Sequence, residues 1–234
     1  MTTWAIIPVK PLRDGKSRLA HLLSSNERAE LTTNMLRRTL EVLNDVTDVF
    51  RTLVVSRDPA VLKTARQYDA FTFGEGEDLG LNAGLTRGAH MAAAQQAASI
   101  LILPVDLPLI TAGDVETVLD STAPPGGVRR ILSRFTGFNG AGGSNHARVM
   151  AICPDRLEDG TNALYLSSPL GFSFQYGPGS YHRHLQEAER LGMKYHIVHS
   201  PGLKFDLDTE EDWYKYLALG GELAPRSAVM KTAR

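Results

Sequence analysis

Two hydrophobic rhythms alternate along the first half of the chain. Residues 4–9, 52–56, 70–73 and 100–103 are short, largely apolar runs, the pattern of strands covered on both faces as in a parallel sheet. Between them, apolar residues recur every three or four positions. Leu31, Met35, Leu36, Leu40 and Leu43 mark a helix over 26–46, with Asn26 as its cap and the acids Glu27 and Glu30 in its first turn. Asp58 and Pro59 open a second helix with proline at the first position, and 81–98 is an alanine-rich third. Strict strand–helix alternation predicts βαβ units and a mostly parallel central sheet flanked by helices.

The rhythm changes after Asp120. Pro124-Pro-Gly-Gly127 is a break, 137–145 is rich in Gly and Asn, and 128–135 fits either a strand or a short helix. Regularity returns with a strand over 149–153, a helix over 181–191 ended by Gly192, a strand over 194–199 and a helix over 209–219 capped by Thr209. No repeat or linker divides the chain, so a single domain over 1–219 is expected. The tail, 220–234, has little periodicity and is expected to be flexible.

Composition narrows the field. The 25 basic and 26 acidic residues of this 234-residue chain balance to a net charge of −1, so no global field recruits nucleic acid or anionic lipid. A single cysteine, Cys153, excludes an internal disulfide and a thiolate zinc cluster. No signal peptide and no apolar run of membrane-spanning length is present, which predicts a cytoplasmic protein.

The candidate chemistry gathers at expected strand ends. Ser99-Ile-Leu-Ile-Leu-Pro-Val-Asp106-Leu-Pro108 delivers a carboxylate just past a buried strand, where ligands sit in open α/β sheets. Asp206-Leu-Asp208 puts two further carboxylates on one side of an extended segment. Together the three aspartates offer hard oxygen donors for one or two Mg²⁺ ions. The loop Pro8-Val-Lys10-Pro-Leu-Arg-Asp-Gly15-Lys16-Ser17-Arg18 is cationic and contains glycine, which suits a phosphate. It is not a P-loop, because the required first glycine falls on Lys10, and no Rossmann fingerprint follows the first strand. Asp159-Gly-Thr-Asn-Ala-Leu164 and Tyr176-Gly-Pro-Gly-Ser180 read as glycine-rich turns; each alone is ordinary turn chemistry. His182 and His184 would not share a helix face, which argues against a zinc pair. His196 and His199 read as structural residues on a strand, and no nucleophile elbow is present.

The combined order P-V-K…K-S-R-L, L-N, P-x-D-L-P, D-G-T-N-A-L, Y-G-x-G-S and D-x-D-T resembles the guanylyltransferases of deazaflavin coenzyme (F-420) biosynthesis. Those enzymes act on 2-phospho-L-lactate or phosphoenolpyruvate, and the resemblance runs from about Ala5 to Asp212. It implies a GT-A-like nucleotidyltransferase fold and transfer of GMP from GTP to the phosphate of a three-carbon acid. It also implies Asp106, Asp206 and Asp208 as metal ligands, and Lys10, Thr161, Gly177 and Ser180 at the phospho-acid. Pro8, Lys16, Arg18, Asn82 and Asp106 then fall on the nucleotide side, with Lys16 and Arg18 stabilising the departing pyrophosphate. One departure from the family pattern is a segment at 124–145 that reads as an insertion. Asn145 and His146 beside it could bond an acceptor hydroxyl, which tilts the expected acceptor toward 3-phospho-D-glycerate. The resemblance further implies a deazaflavin transferase that receives the product, and a homodimer is the default assembly. Two rivals stand beside this reading: a molybdenum-cofactor or sugar-phosphate nucleotidyltransferase, and a non-catalytic nucleotide-binding regulator.

Overall fold

The computed structural model describes residues 2–74, 80–122 and 148–232. The expected insertion at 124–145, with Asn145 and His146, lies outside the described residues. Strands β1 (Thr3–Pro8), β2 (Val49–Ser56), β3 (Phe71–Gly74), β4 (Ser99–Ile102), β5 (Val149–Pro154), β6 (Thr161–Leu166) and β7 (Lys194–Ile197) form one sheet in the order β3-β2-β1-β4-β6-β5-β7. Pairing is parallel from β3 to β4 and again between β5 and β7, while β6 runs antiparallel to both its neighbours. The helices are α1 (Ser25–Asp45), α2 (Pro59–Arg66), α3 (Leu81–Ala94), α4 (Ala112–Asp120), α5 (Ser180–Arg190), α6 (Pro201–Lys204), α7 (Glu210–Ala218) and α8 (Arg226–Thr232).

Alternate residues of each strand feed opposite layers. Ala5 and Ile7 of β1 face a core with Leu36, Leu40 and Leu43 of α1 and Val115 and Val118 of α4. Trp4 and Ile6 face Leu85, Ala89 and Ala92 of α3 and Tyr181 and Ala188 of α5. With both faces covered, the inner strands β1, β4, β5 and β6 need no polar side, which explains their largely apolar runs, while the edge strands β3 and β7 stay largely exposed.

Local signals set most boundaries. Asp58 caps α2 by accepting from Ala60 N–H at 2.8 Å, and Thr111 with Asp114 forms a capping box on α4, as does Thr209 with Asp212 on α7. Four expectations are corrected. The cap of α1 is Ser24, not Asn26, because Ser24 and Glu27 satisfy each other's backbone N–H groups. The stretch read as a turn through Leu164 enters a fully buried strand, β6, wedged between β4 and β5. The described part of the tail, 220–232, is not detached. It carries α8, whose Ala228 is buried with Ala224, Trp213, Tyr216, Leu31 and Met35, and Ser227 Oγ donates to Glu27 at 2.9 Å. His199 lies beyond the end of β7, so the two histidines do not share that strand.

Candidate active site

The carboxyl ends of β1, β2 and β4 open onto a cleft of about 480 Å³. One wall is the loop after β1. Asp58 fastens it by accepting from Leu12 N–H at 2.9 Å while capping α2. Lys16 ends this loop in the left-handed region, with φ 53°, a conformation that costs a non-glycine residue about 1–2 kcal/mol. That backbone carries the Lys16 side chain inward, where it is 94 % buried on a side-chain basis. Its ammonium lies 3.0 Å from Asp106 and 3.8 Å from Asp208.

The acidic floor joins two distant segments. The Asp106 backbone carbonyl accepts from Leu207 N–H at 3.0 Å, which sets the turn after β4 against the strand-like link between α6 and α7. Leu207 is buried while Asp206 and Asp208 line the cleft on its two sides. Burial, then the nearby charge of Asp106, push the Asp206 carboxyl above its usual range. The buried Asp206 carboxyl, its proton affinity raised, shares the cleft with Asp106 and the buried Lys16 ammonium, which marks a place built for cationic charge. Among the described residues, no group of three or more His, Cys, Asp and Glu side chains is spaced to hold a metal ion unaided. The three aspartates share a cleft but do not form a closed shell.

The opposite wall is the start of β6, the 175–179 loop and the N-terminus of α5. Asp155 closes the turn before β6 by accepting from the N–H groups of Leu157, Asp159 and Gly160. Gly177 and Gly179 have φ of 123° and 73°, which only glycine adopts readily, and they turn the chain into Ser180 at the head of α5. Asn82 of α3 holds this loop at both ends of one residue, donating to the Tyr176 carbonyl and accepting from its N–H. Arg183 of α5 grips the Gln175 carbonyl at 2.9 Å.

The sequence-derived residues divide accordingly. Pro8, Lys10, Lys16, Asp106, Thr161, Gly177, Ser180, Asp206 and Asp208 all line the cleft. Arg18 stands at the rim with its guanidinium 2.9 Å from Asp208 and most of its side chain exposed. Asn82 is spent on the Tyr176 backbone, so its amide shapes the 175–179 loop. Sequence reasoning missed His184, which is fully buried beneath the cleft and bonded to Thr161. Its signal was its place with Tyr181 and Ala188 on the buried stripe of α5.

A single sheet between helical layers, with carboxylates, a buried lysine and glycine-rich turns around one cleft, is a fold shared with solved nucleotidyltransferases. Solved structures agree on the fold. A nucleotidyl transferase from Methanothermobacter aligns with a TM-score of 0.63 and 14 % identity over 95 % of this chain and 97 % of its own. The 4-diphosphocytidyl-2C-methyl-D-erythritol synthase of Anaerococcus prevotii aligns with a TM-score of 0.56 and 13 % identity, over 94 % and 98 %. The chain belongs to the family described as guanylyl transferase CofC like, which matches residues 3–125 and 144–228. The phosphoenolpyruvate guanylyltransferase of Rubrobacter xylanophilus is 39 % identical over 229 residues, 97 % of this chain and all of that protein. The 2-phospho-L-lactate guanylyltransferase of Methanocaldococcus vulcanius is 34 % identical over 208 residues, 88 % of this chain and 80 % of that protein. The stretch between the two matched segments overlaps the expected insertion. Among the described residues no helix is long and apolar enough to cross a membrane.

Proposed function

We propose that this guanylyltransferase moves GMP from GTP to the phosphate of phosphoenolpyruvate in coenzyme F-420 biosynthesis, releasing pyrophosphate. The observation that carries the reading is the division of the cleft. A lysine set between carboxylates lies on one side, and the Thr161, Gly177 and Ser180 cradle at the head of α5 lies on the other. The dipole of α5 favours an anion near its N-terminus, although the N–H groups of Gly179, Ser180 and Tyr181 are already donated to Asp159 and Gly177. The acceptor follows the name of the Rubrobacter relative, which matches this chain over nearly its whole length. 2-Phospho-L-lactate is the second candidate, from the Methanocaldococcus relative. 3-Phospho-D-glycerate rests only on Asn145 and His146.

No general base is required. A phosphate monoester has a second pKa near ~6, so the acceptor is mostly a dianion at neutral pH. Its oxygen forms a bond to the α-phosphorus, the bond from that phosphorus to the bridging oxygen breaks, and pyrophosphate leaves with the electron pair. Lys10 at the cleft edge screens the two anions from each other. Lys16 and Arg18 take up charge growing on the leaving group, and the fixed loops hold the reactants in line. Asp106, Asp206 and Asp208 are hard oxygen donors that suit Mg²⁺, which needs only one or two carboxylates when substrate phosphates complete its shell. When bound, the ion would neutralise phosphate charge. The product, an acid joined to GMP through a diphosphate, is an activated donor for a transferase that consumes it.

The test is direct. The protein is incubated with GTP, Mg²⁺ and, separately, each of the three acids, with pyrophosphate release and product mass as readouts. A guanylylated phosphoenolpyruvate is expected. Absence of pyrophosphate release with every one of the acids overturns the reading and restores the regulator alternative.

A further inference from the structure

His184 is fully buried and both of its ring nitrogens are engaged. Nε2 lies 3.0 Å from the backbone nitrogen of Gln175, and Nδ1 lies 3.0 Å from Thr161 Oγ1. A backbone N–H can only donate, so Nε2 is the accepting nitrogen of a neutral imidazole. The ring proton is therefore on Nδ1 and is donated to Thr161 Oγ1. Ser180 Oγ donates to the same oxygen at 3.2 Å. Two accepted hydrogen bonds use both lone pairs of that hydroxyl. What remains to Thr161 is its own O–H, which has no protein acceptor among the described residues. Thr161 lines the cleft.

We infer that His184 is a positioning residue that makes Thr161 an obligate hydrogen-bond donor toward an oxyanion of the acceptor, through the chain Gln175 N–H to His184 to Thr161. The inference rests on the proposed function and deepens it by stating what the cradle can accept. An ionised phosphate or carboxylate presents only lone pairs and satisfies the hydroxyl. A protonated acid, an amide or an alcohol can also accept that hydrogen, but through a neutral oxygen and in fewer orientations, so the bond is weaker than the charge-assisted one to an oxyanion. The relay also explains an otherwise idle histidine. A phenyl ring would fill the same space beside Phe172 and Tyr176 but would orient nothing. Burial and the neighbouring charge of Arg183 keep the imidazole neutral, with the charge of Glu187 acting the other way. The acceptor face of Nε2 toward Gln175 is thereby preserved.

The test uses the full-length protein with phosphoenolpyruvate as the probe, read by calorimetric binding and by steady-state pyrophosphate release. Thr161→Val removes the hydroxyl and keeps its shape. His184→Asn keeps an amide N–H near the former Nδ1. His184→Gln instead places its amide near the former Nε2 and loses the donor to Thr161. Thr161→Val and His184→Gln are expected to raise Kd and KM for phosphoenolpyruvate about 10- to 100-fold, the factor for one hydrogen bond to a charged group. KM for GTP should stay within about 2-fold, and His184→Asn should recover acceptor binding to within about 5-fold of wild type. Adding His184→Gln to Thr161→Val should cost nothing further, because the relay acts only through that hydroxyl.

Unchanged acceptor binding in Thr161→Val overturns the inference, even if His184→Gln fails to fold. Parallel rises in KM for GTP and for the acid, or additive losses in the double variant, also overturn it by making His184 a fold support only. Wild-type protein that binds no phospho-acid refutes the proposed acceptor class together with this inference. Wild type that binds the acid while Thr161→Val and His184→Gln bind it equally well refutes this inference alone.

Discussion

The Lys16 ammonium and the Asp106 carboxylate meet at 3.0 Å across ninety positions of sequence, with the lysine side chain only 6 % exposed. A buried ammonium is tolerated only when paired, so the loop after β1 and the turn after β4 stabilise each other's charge. The same pair sits where a triphosphate must bind, which ties local stability to the proposed chemistry.

Asp106→Asn leaves the ammonium with Asp208 at 3.8 Å as its remaining carboxylate partner in the cleft. The cost should be about 1–2 kcal/mol, below the figure for a fully buried pair because Asp106 is partly exposed. In a domain of this size that lowers Tm by about 2–8 °C. Pyrophosphate release should fall more than about 100-fold. Lys16→Met keeps the packed stem and removes the buried charge, so it should lose activity with a smaller drop in Tm. Thermal melts beside turnover separate the two effects, and an active Asp106→Asn would contradict the proposed role.

Gly202→Ala should be among the most damaging single changes. A methyl group at Gly202 would stand 2.6 Å from the Leu109 carbonyl oxygen and against the Asp114 carboxylate. Asp114 cannot retreat freely, because it accepts from Thr111, Ser200 and the Gly202 N–H while capping α4. We expect a loss of at least about 3 kcal/mol, read as a lower urea midpoint. A midpoint equal to wild type would show that the backbone yields there.

Acid should weaken the fold through His184. Burial and Arg183 lower its pKa from 6.5 to about 4, with Glu187 opposing, and the rings packed on it from Phe172 and Tyr176 carry no charge. Because the folded value is depressed, the unfolded chain takes the proton first. Stability present above pH ~6.5 is therefore lost as pH falls toward ~4, by about 3 kcal/mol in all. The measurement is the difference in urea stability between wild type and His184→Asn across that window, in which the other titrations cancel. Parallel curves would contradict the assignment.

The terminal helix should be structural. A chain stopped after Gly221 loses Ala224 and Ala228 from the cluster that covers Trp213, Tyr216, Leu31 and Met35. It also loses the Ser227 bond to Glu27 and the Asn34 bond to the Leu223 carbonyl. About 2–4 kcal/mol should go with them, and the fluorescence of Trp213 should shift to the red. An unchanged spectrum and Tm would mark α8 as dispensable.

Much of this could be read directly from the residues. Asp58 and Thr209 announced their helices because a cap satisfies N–H groups two or three residues away. Asp106 stood out because a carboxylate after a buried strand has few structural uses. Other features were illegible for equally physical reasons. The Thr161-Asn162 start of β6 directly follows the turn residues Asp159 and Gly160, and only its place between β4 and β5 makes it a strand. The tail lacks a marked apolar period because it lays just a few small side chains into a cluster built by α1 and α7.

The sequence by itself determined the alternation of elements, the apolar faces and the chemical types available, because each depends on neighbours within a turn or a pleat. Tertiary structure alone decided that Lys16 lies between Asp106 and Asp208, that Asn82 serves the Tyr176 backbone and that His184 orients Thr161. Those pairings depend on which buried donor meets which acceptor. Residues far apart in the chain meet only once the sheet order is set and desolvation leaves them no water to bond instead.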